Sequence, residues 1–171
     1  MPPGLFRADG SRARYTRMEM KTALMRIAAG VAIVLALASC TSLQRMSDEK
    51  GAAWVAHQLN DGNTVELAAI SSSPFLLDGE IIALPEDTAS FWNGMAKSGV
   101  KLDAELSRAL EVGTDSWREF GSSREVMVFF GKYVKDGARL FELPTGNGQH
   151  VLVLYSSSWG TRKLYGFKGP F

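Results

Sequence analysis

The sequence predicts an α+β domain in which helices pack on one face of a curved antiparallel sheet. Three observations carry that expectation. Apolar residues recur at helical spacing in "DEKGAAWVAHQLN" and "PEDTASFWNGMAK". The dipeptide Asp78-Gly79 sits between the apolar runs "PFLL" and "EIIAL". Three short aliphatic and aromatic stretches, "ARLFELP", "HVLVLYSS" and "RKLYGFKG", are separated only by "TGNGQ" and "SSWGT". Helices gathered early and strands gathered late mark the α+β arrangement rather than alternating βαβ units.

The first helix is placed by Ala52, Val55, Ala56 and Leu59, which share one face, with Ser47 as its N-cap and Gly62 beyond its end. A shorter helix is expected in "NTVELAAI", capped by Asn63. Asp78-Gly79 predicts a hairpin, because a type I′ turn needs positive φ at both central residues. In the next segment Pro85 falls at an early helical position, Glu86 and Asp87 in the first turn, Lys97 in the last turn and Gly99 past it. Those charges match the helix dipole, and Phe91, Trp92 and Met95 form the apolar face.

Two segments admit two readings. "LDAELSRALEV" alternates through Leu106, Arg108, Leu110 and Val112 as a strand, and equally places Leu102, Leu106, Ala109 and Leu110 on a helix. "SSREVMVFFGKYV" has Ser122 and Glu125 at capping-box spacing and Val126, Phe129, Phe130, Tyr133 and Val134 on one helical face, while Val126, Val128 and Phe130 also alternate as in a strand. The last third, with its short connections, reads as an antiparallel meander.

Ahead of this domain lies Ile27 to Leu37, an apolar run of eleven residues preceded by Lys21 and Arg26. A membrane-spanning helix needs about 20 apolar residues, so the run fits a secretory signal better. Leu37-Ala38-Ser39-Cys40 resembles the lipobox of bacterial lipoprotein signals, in which cleavage precedes the cysteine. That resemblance implies that Cys40, the only cysteine of the chain, becomes the lipidated first residue of the mature protein. It also implies several acyl chains, and so a stable tether. Thr41 follows in place of the aspartate that marks inner-membrane retention, so the resemblance implies an outer-membrane position facing the periplasm. Residues 1–17 add a Pro-Gly-rich and Arg-rich extension that a signal does not need, and Met18 or Met20 is the more natural start.

The expected organisation is therefore 1–39 as extension and signal peptide, 40–47 as lipidated tether and 48–171 as one domain. Charge follows the same division. Residues 1–39 carry six Lys or Arg against two Asp or Glu, whereas 40–171 carry thirteen against sixteen. An acidic mature part argues against nucleic acid as a partner. A single cysteine removes any intrachain disulfide and any CxxC site.

The order of elements from Leu59 to Met95, "LNDGNTVELAAISSSPFLLDGEIIALPEDTASFWNGM", resembles the nuclear-transport-factor-like superfamily, which includes ketosteroid isomerases and SnoaL-like proteins. The resemblance implies a cone in which the sheet curls around a pocket that opens between the helices. A helix at 122–134 departs from the family pattern of strands after the third helix.

A catalytic cone would hold an acid or base in an apolar pocket. His57, Asp78 and Glu80 are the candidates, but Asp78 is accounted for by its turn, and neither of the others has a partner at motif spacing. His57 and His150 lack metal-site spacing, Gly131-Lys132 lacks the rest of a phosphate loop, and the serines of "SSSP" and "YSSSWG" lack a nucleophile elbow. No catalytic residue, metal ligand or cofactor is assigned.

What remains is aromatic: Trp54, Phe75, Phe91 and Trp92 in the first half and Phe129, Tyr133 and Tyr155 in the second are the pocket candidates. The leading expectation is a lipid-anchored envelope lipoprotein whose domain binds a partner protein or small apolar ligand without catalysis. The alternatives are a pocket isomerase, dehydratase or hydrolase using a buried carboxylate or His57, and an accessory subunit of an envelope assembly.

Overall fold

Asp78 and Gly79 turn the chain as their residue types require. In the computed structural model, which describes residues 43–105, 107–158 and 161–171, both adopt positive φ, 50° and 89°. They join strand β1 (Ser71–Leu77) to β2 (Glu80–Ile82) in antiparallel register, with Leu77 opposite Glu80 and Phe75 opposite Ile82. The signal segment, Cys40 and the first residues of its tether lie outside the described residues, as does Leu106.

Helix α1 covers residues 43–60, and Ala52, Val55, Ala56 and Leu59 are its buried stripe, as their spacing predicts. Ser47 lies inside this helix and does not cap it. The additional turn carries an ion pair at i, i+4 spacing, Arg45 Nε to Glu49 Oε1 at 2.8 Å, which supports helix ahead of the serine. Helix α2 (Thr64–Ile70) follows with Asn63 at its N-cap position, where the asparagine side chain makes no capping bond.

Helix α3 (Pro85–Lys97) is built from the signals that predict it. Pro85 starts it, Glu86 and Asp87 occupy the first turn, Lys97 the last, and Gly99 continues at φ 76°. Its buried anchor is Trp92, whose ring meets Phe75, Phe91 and Phe167 at centroid distances of 5.9, 4.7 and 5.5 Å. The indole N–H donates to Ser71 Oγ at 3.0 Å, and that hydroxyl donates to the Leu67 carbonyl at 2.8 Å. One tryptophan thereby ties α3 to the junction of α2 and β1.

The two open readings resolve differently. Arg108–Glu111 is strand β3, an edge strand paired with β4. Arg124–Tyr133 is helix α4, and its N-cap is Ser123, whose Oγ accepts from the Val126 N–H at 3.2 Å, rather than Ser122. Strands β4 (Arg139–Pro144), β5 (His150–Ser158) and β6 (Thr161–Lys168) form the expected antiparallel meander.

The fold is α+β, with a curved, unclosed sheet of six strands in the order β2-β1-β6-β5-β4-β3. Two details of the expectation are corrected. The sheet is mixed rather than wholly antiparallel, because β1 pairs β6 in parallel. Short connections force antiparallel pairing only between sequence neighbours, and these two strands are joined by the whole middle of the domain.

Helices also cover both faces of the sheet instead of one. Against α1, α2 and α3 lie Phe75, Phe141, Val153 and Leu164. Against α4 lie Leu76, Leu140, Leu152 and Leu154 together with Phe120. Strands that are apolar on both faces leave one face wet unless a second layer covers it, and α4 is that layer.

Strand β6 carries an irregularity opposite Leu154 and Tyr155. Leu154 pairs with Gly166 while the next residue, Tyr155, pairs with Leu164, so Tyr165 is an extra residue on β6. Gly166 beside it has no room for a side chain. A Cβ there would lie 2.7 Å from the Leu76 carbonyl oxygen and 3.2 Å from the Phe120 ring.

One buried ion pair fixes α1 to the sheet. Arg139 on β4 donates from Nη2 to Asp48 Oδ2 at 2.7 Å, and Asp48 is 4% exposed. The Arg139 Nε is buried without a hydrogen-bond acceptor among the described residues, and its other carboxylate neighbour, Glu111, is largely exposed and 3.9 Å from Nη1, so this guanidinium depends mainly on Asp48. Asp48→Ala is expected to cost about 3 kcal/mol, since it strands the buried charge, and guanidinium chloride denaturation reads this as a lower midpoint. A midpoint equal to the parent's would show that Glu111 and water suffice for Arg139.

Candidate functional site: the groove between helix α4 and the β1–β2 hairpin

Helix α4 packs through its buried residues Val126, Phe129 and Phe130, and a groove lies between it and the hairpin. Spacing of three and four on a helix puts two rows on the groove side. One row is Arg124, Val128 and Lys132; the other is Glu125, Phe129 and Tyr133. The facing wall is Ser73 and Pro74 of β1 with Ile81 of β2 and Ala83 just beyond it. Ile81 and Ala83 are two residues apart and point to one side, as strand geometry requires.

The groove has a volume of about 560 Å³, within the range of about 300–1,000 Å³ typical of small-molecule sites. Its middle is apolar and its ends are charged. Val128 is half exposed, as is Ile81 across from it, so apolar surface is presented to solvent on both walls. Lys132 Nζ stands 5.1 Å above the Tyr133 ring, and the Tyr133 and Phe129 rings are 5.4 Å apart. Among the described residues, neither Arg124 nor Lys132 lies within ion-pair distance of a carboxylate.

Comparison of the chain with protein-family models, with curated proteins and with solved structures finds no match.

Of the aromatic pocket candidates, the structure brings Phe129 and Tyr133 together at this groove. Phe75, Phe91 and Trp92 meet instead in the core between α3 and the sheet, where Phe75 and Trp92 are fully buried and Phe91 is partly so. Tyr155 stacks on Phe141 at 5.4 Å, and its ring lies close over Gly51 of α1, where a Cβ would be only 2.9 Å away. Trp54 is half-buried on α1 with the Arg162 guanidinium 4.7 Å over its ring.

None of the acid and base candidates lines the groove. His57 is exposed on α1 and Glu80 is exposed on β2. Asp78 Oδ1 accepts from the Gly169 N–H at 2.7 Å, so this side chain fastens the chain after β6 to the hairpin turn. His150 sits at the start of β5, its backbone exchanging hydrogen bonds with that of Phe171. Among the described residues no three His, Cys, Asp or Glu side chains gather where a metal ion would sit.

Two further clefts are more polar. One, of about 640 Å³, lies between α1 and the 104–105 loop and is lined by Arg45, Met46, Glu49, Lys50 and Glu105 among others. The other, of about 370 Å³, lies between the loop after α3 and the β4–β5 turn. Sequence reasoning missed Arg124, Val128, Lys132, Pro74, Ile81 and Ala83. The signal available for the first three was their four-residue spacing, a cation at each end of an apolar position.

Proposed function

We propose that this chain is a lipid-anchored lipoprotein of the cell envelope, held through Cys40, whose domain binds a small apolar ligand without catalysis. The ligand site is the groove between α4 and the β1–β2 hairpin. The observation that carries the reading is the contrast between the two sides of the sheet. Under α1 to α3 the interior is filled by Phe75, Trp92 and Phe167, each wholly buried, whereas the α4 side keeps an open, apolar-walled groove.

The likeness to the nuclear-transport-factor-like superfamily belongs to this proposal. It is supported by the succession of two helices, hairpin and third helix, followed by the meander, around a curved sheet. Helix α4 is an element outside that pattern, and the ligand site proposed here is made by it.

The anchor and the site are tested separately. Growth with an alkyne-bearing fatty acid is expected to label the protein, and Cys40→Ala is expected to abolish the label completely. Label retained by Cys40→Ala would overturn the anchor. For the site, native mass spectrometry of the full chain released from detergent is expected to show a bound small molecule. Val128→Glu, which puts a carboxylate into the apolar middle, is expected to remove it. Bare protein in the parent spectrum, or a ligand that survives Val128→Glu, would overturn the groove as its site.

A further inference from the structure

The two cations of the groove have different surroundings. Lys132 and Arg124 are eight residues apart on α4, about 12 Å along its axis, so they mark opposite ends. Arg124 is followed by Glu125, which also lines the groove and offsets its charge. Lys132 is followed by Tyr133, whose hydroxyl is a second donor, and no carboxylate lines that end. Between the ends lie the apolar side chains of Val128, Phe129, Pro74, Ile81 and Ala83, and the Ser73 hydroxyl on this wall donates to the Ala83 carbonyl at 2.9 Å.

A wholly apolar ligand would leave the ammonium of Lys132 unused, and a cation would meet like charge there. From this we infer that the ligand of the groove is a single-chain anionic amphiphile. Its carboxylate or phosphate head lies at Lys132 and Tyr133, and its hydrocarbon chain runs past Val128 toward Arg124, whose own aliphatic stem extends the apolar wall. A bilayer surface suits the groove less well, because Glu125, exposed in the same lining, would be repelled by anionic head groups. The inference rests on the groove being a ligand site, as proposed above.

The test uses the full chain in phosphatidylcholine vesicles and two photoreactive probes of equal length, one a long-chain carboxylate and one the matching alcohol, each carrying a diazirine. Crosslinked peptides are mapped by mass spectrometry. The carboxylate is expected to label residues 124–133 and the hairpin, and Lys132→Gln is expected to lower that labelling about fivefold. Lys132→Arg should restore it, and Lys97→Gln, an exposed cation on α3 outside the groove lining, should leave it unchanged. Because Lys132 is exposed, neither substitution at that position disturbs the core.

Equal labelling by the alcohol, or no effect of Lys132→Gln, would overturn the anionic head while leaving an apolar ligand in the groove. Equally strong labelling from a diazirine-bearing phosphatidylserine in the vesicles would overturn the free amphiphile in favour of the membrane surface. No groove labelling by either probe would overturn this inference and the groove reading together.

Discussion

Trp92→Ala is expected to destabilise the domain by about 3–5 kcal/mol, the usual cost of removing a fully buried aromatic ring. The substitution deletes the side chain that Phe75, Phe91 and Phe167 all pack against, and it leaves Ser71 Oγ without its indole donor. Thermal unfolding should show a midpoint lower by roughly 10–20 °C. Trp92→Phe keeps a ring in place and loses only the N–H contact and part of the volume, so it should be clearly milder. A loss below about 1 kcal/mol for the alanine variant would mean that this ring borders open space. The core between α3 and the sheet would then become the better place to look for a ligand.

Gly166→Val is expected to prevent the folded domain from accumulating, and Gly166→Ala to cost about 3 kcal/mol, at the upper end of overpacking effects. Even a methyl group would meet the Leu76 carbonyl at 2.7 Å and the Leu76 Cβ at 3.0 Å. These atoms belong to the neighbouring strand, which cannot step aside without breaking its pairing with β6. Gly94, inside α3, is the control: a Cβ there has nothing within 4 Å, so Gly94→Ala should stabilise by about 0.5–1 kcal/mol through helix propensity. Equal effects at the two glycines would refute the packing argument.

Local chemistry explains what the sequence reveals about the fold. The Asp78-Gly79 turn, α3 with Pro85 and its matched charges, and the stripe on α1 all depend on interactions spanning a few residues. Strand β3 was ambiguous because it is an edge strand. Arg108, Leu110 and Glu111 are exposed and only Ala109 is partly covered, so no buried face imposes a period on it.

The parallel pairing of β1 with β6 leaves no local mark, since it is made across the full length of the domain. The second helical layer did leave one. Val151 to Tyr155 is apolar without interruption, as a strand buried on both sides must be, yet the same run also suits a meander covered once. At the groove, Phe129 and Tyr133 were visible as aromatic residues on one helical face. The hairpin wall was not, because only the tertiary fold carries Pro74, Ile81 and Ala83 to α4.

The union of β1 with β6 also bears on the order in which the chain can become a protein. The hairpin emerges early, but the strand that flanks it comes near the end: the carboxylate of Asp78 receives its N–H from Gly169, 91 residues further on. Until that strand arrives, Phe75 and Leu76 have no neighbour on one side and the sheet cannot assemble around them. Contacts so distant along the chain are slow to form, because a long loop must close before they return any stability. A chain that emerges from its N-terminus therefore holds the hairpin without its flanking strand until β6 has followed, and only then can the β1–β2 hairpin join the meander in one sheet.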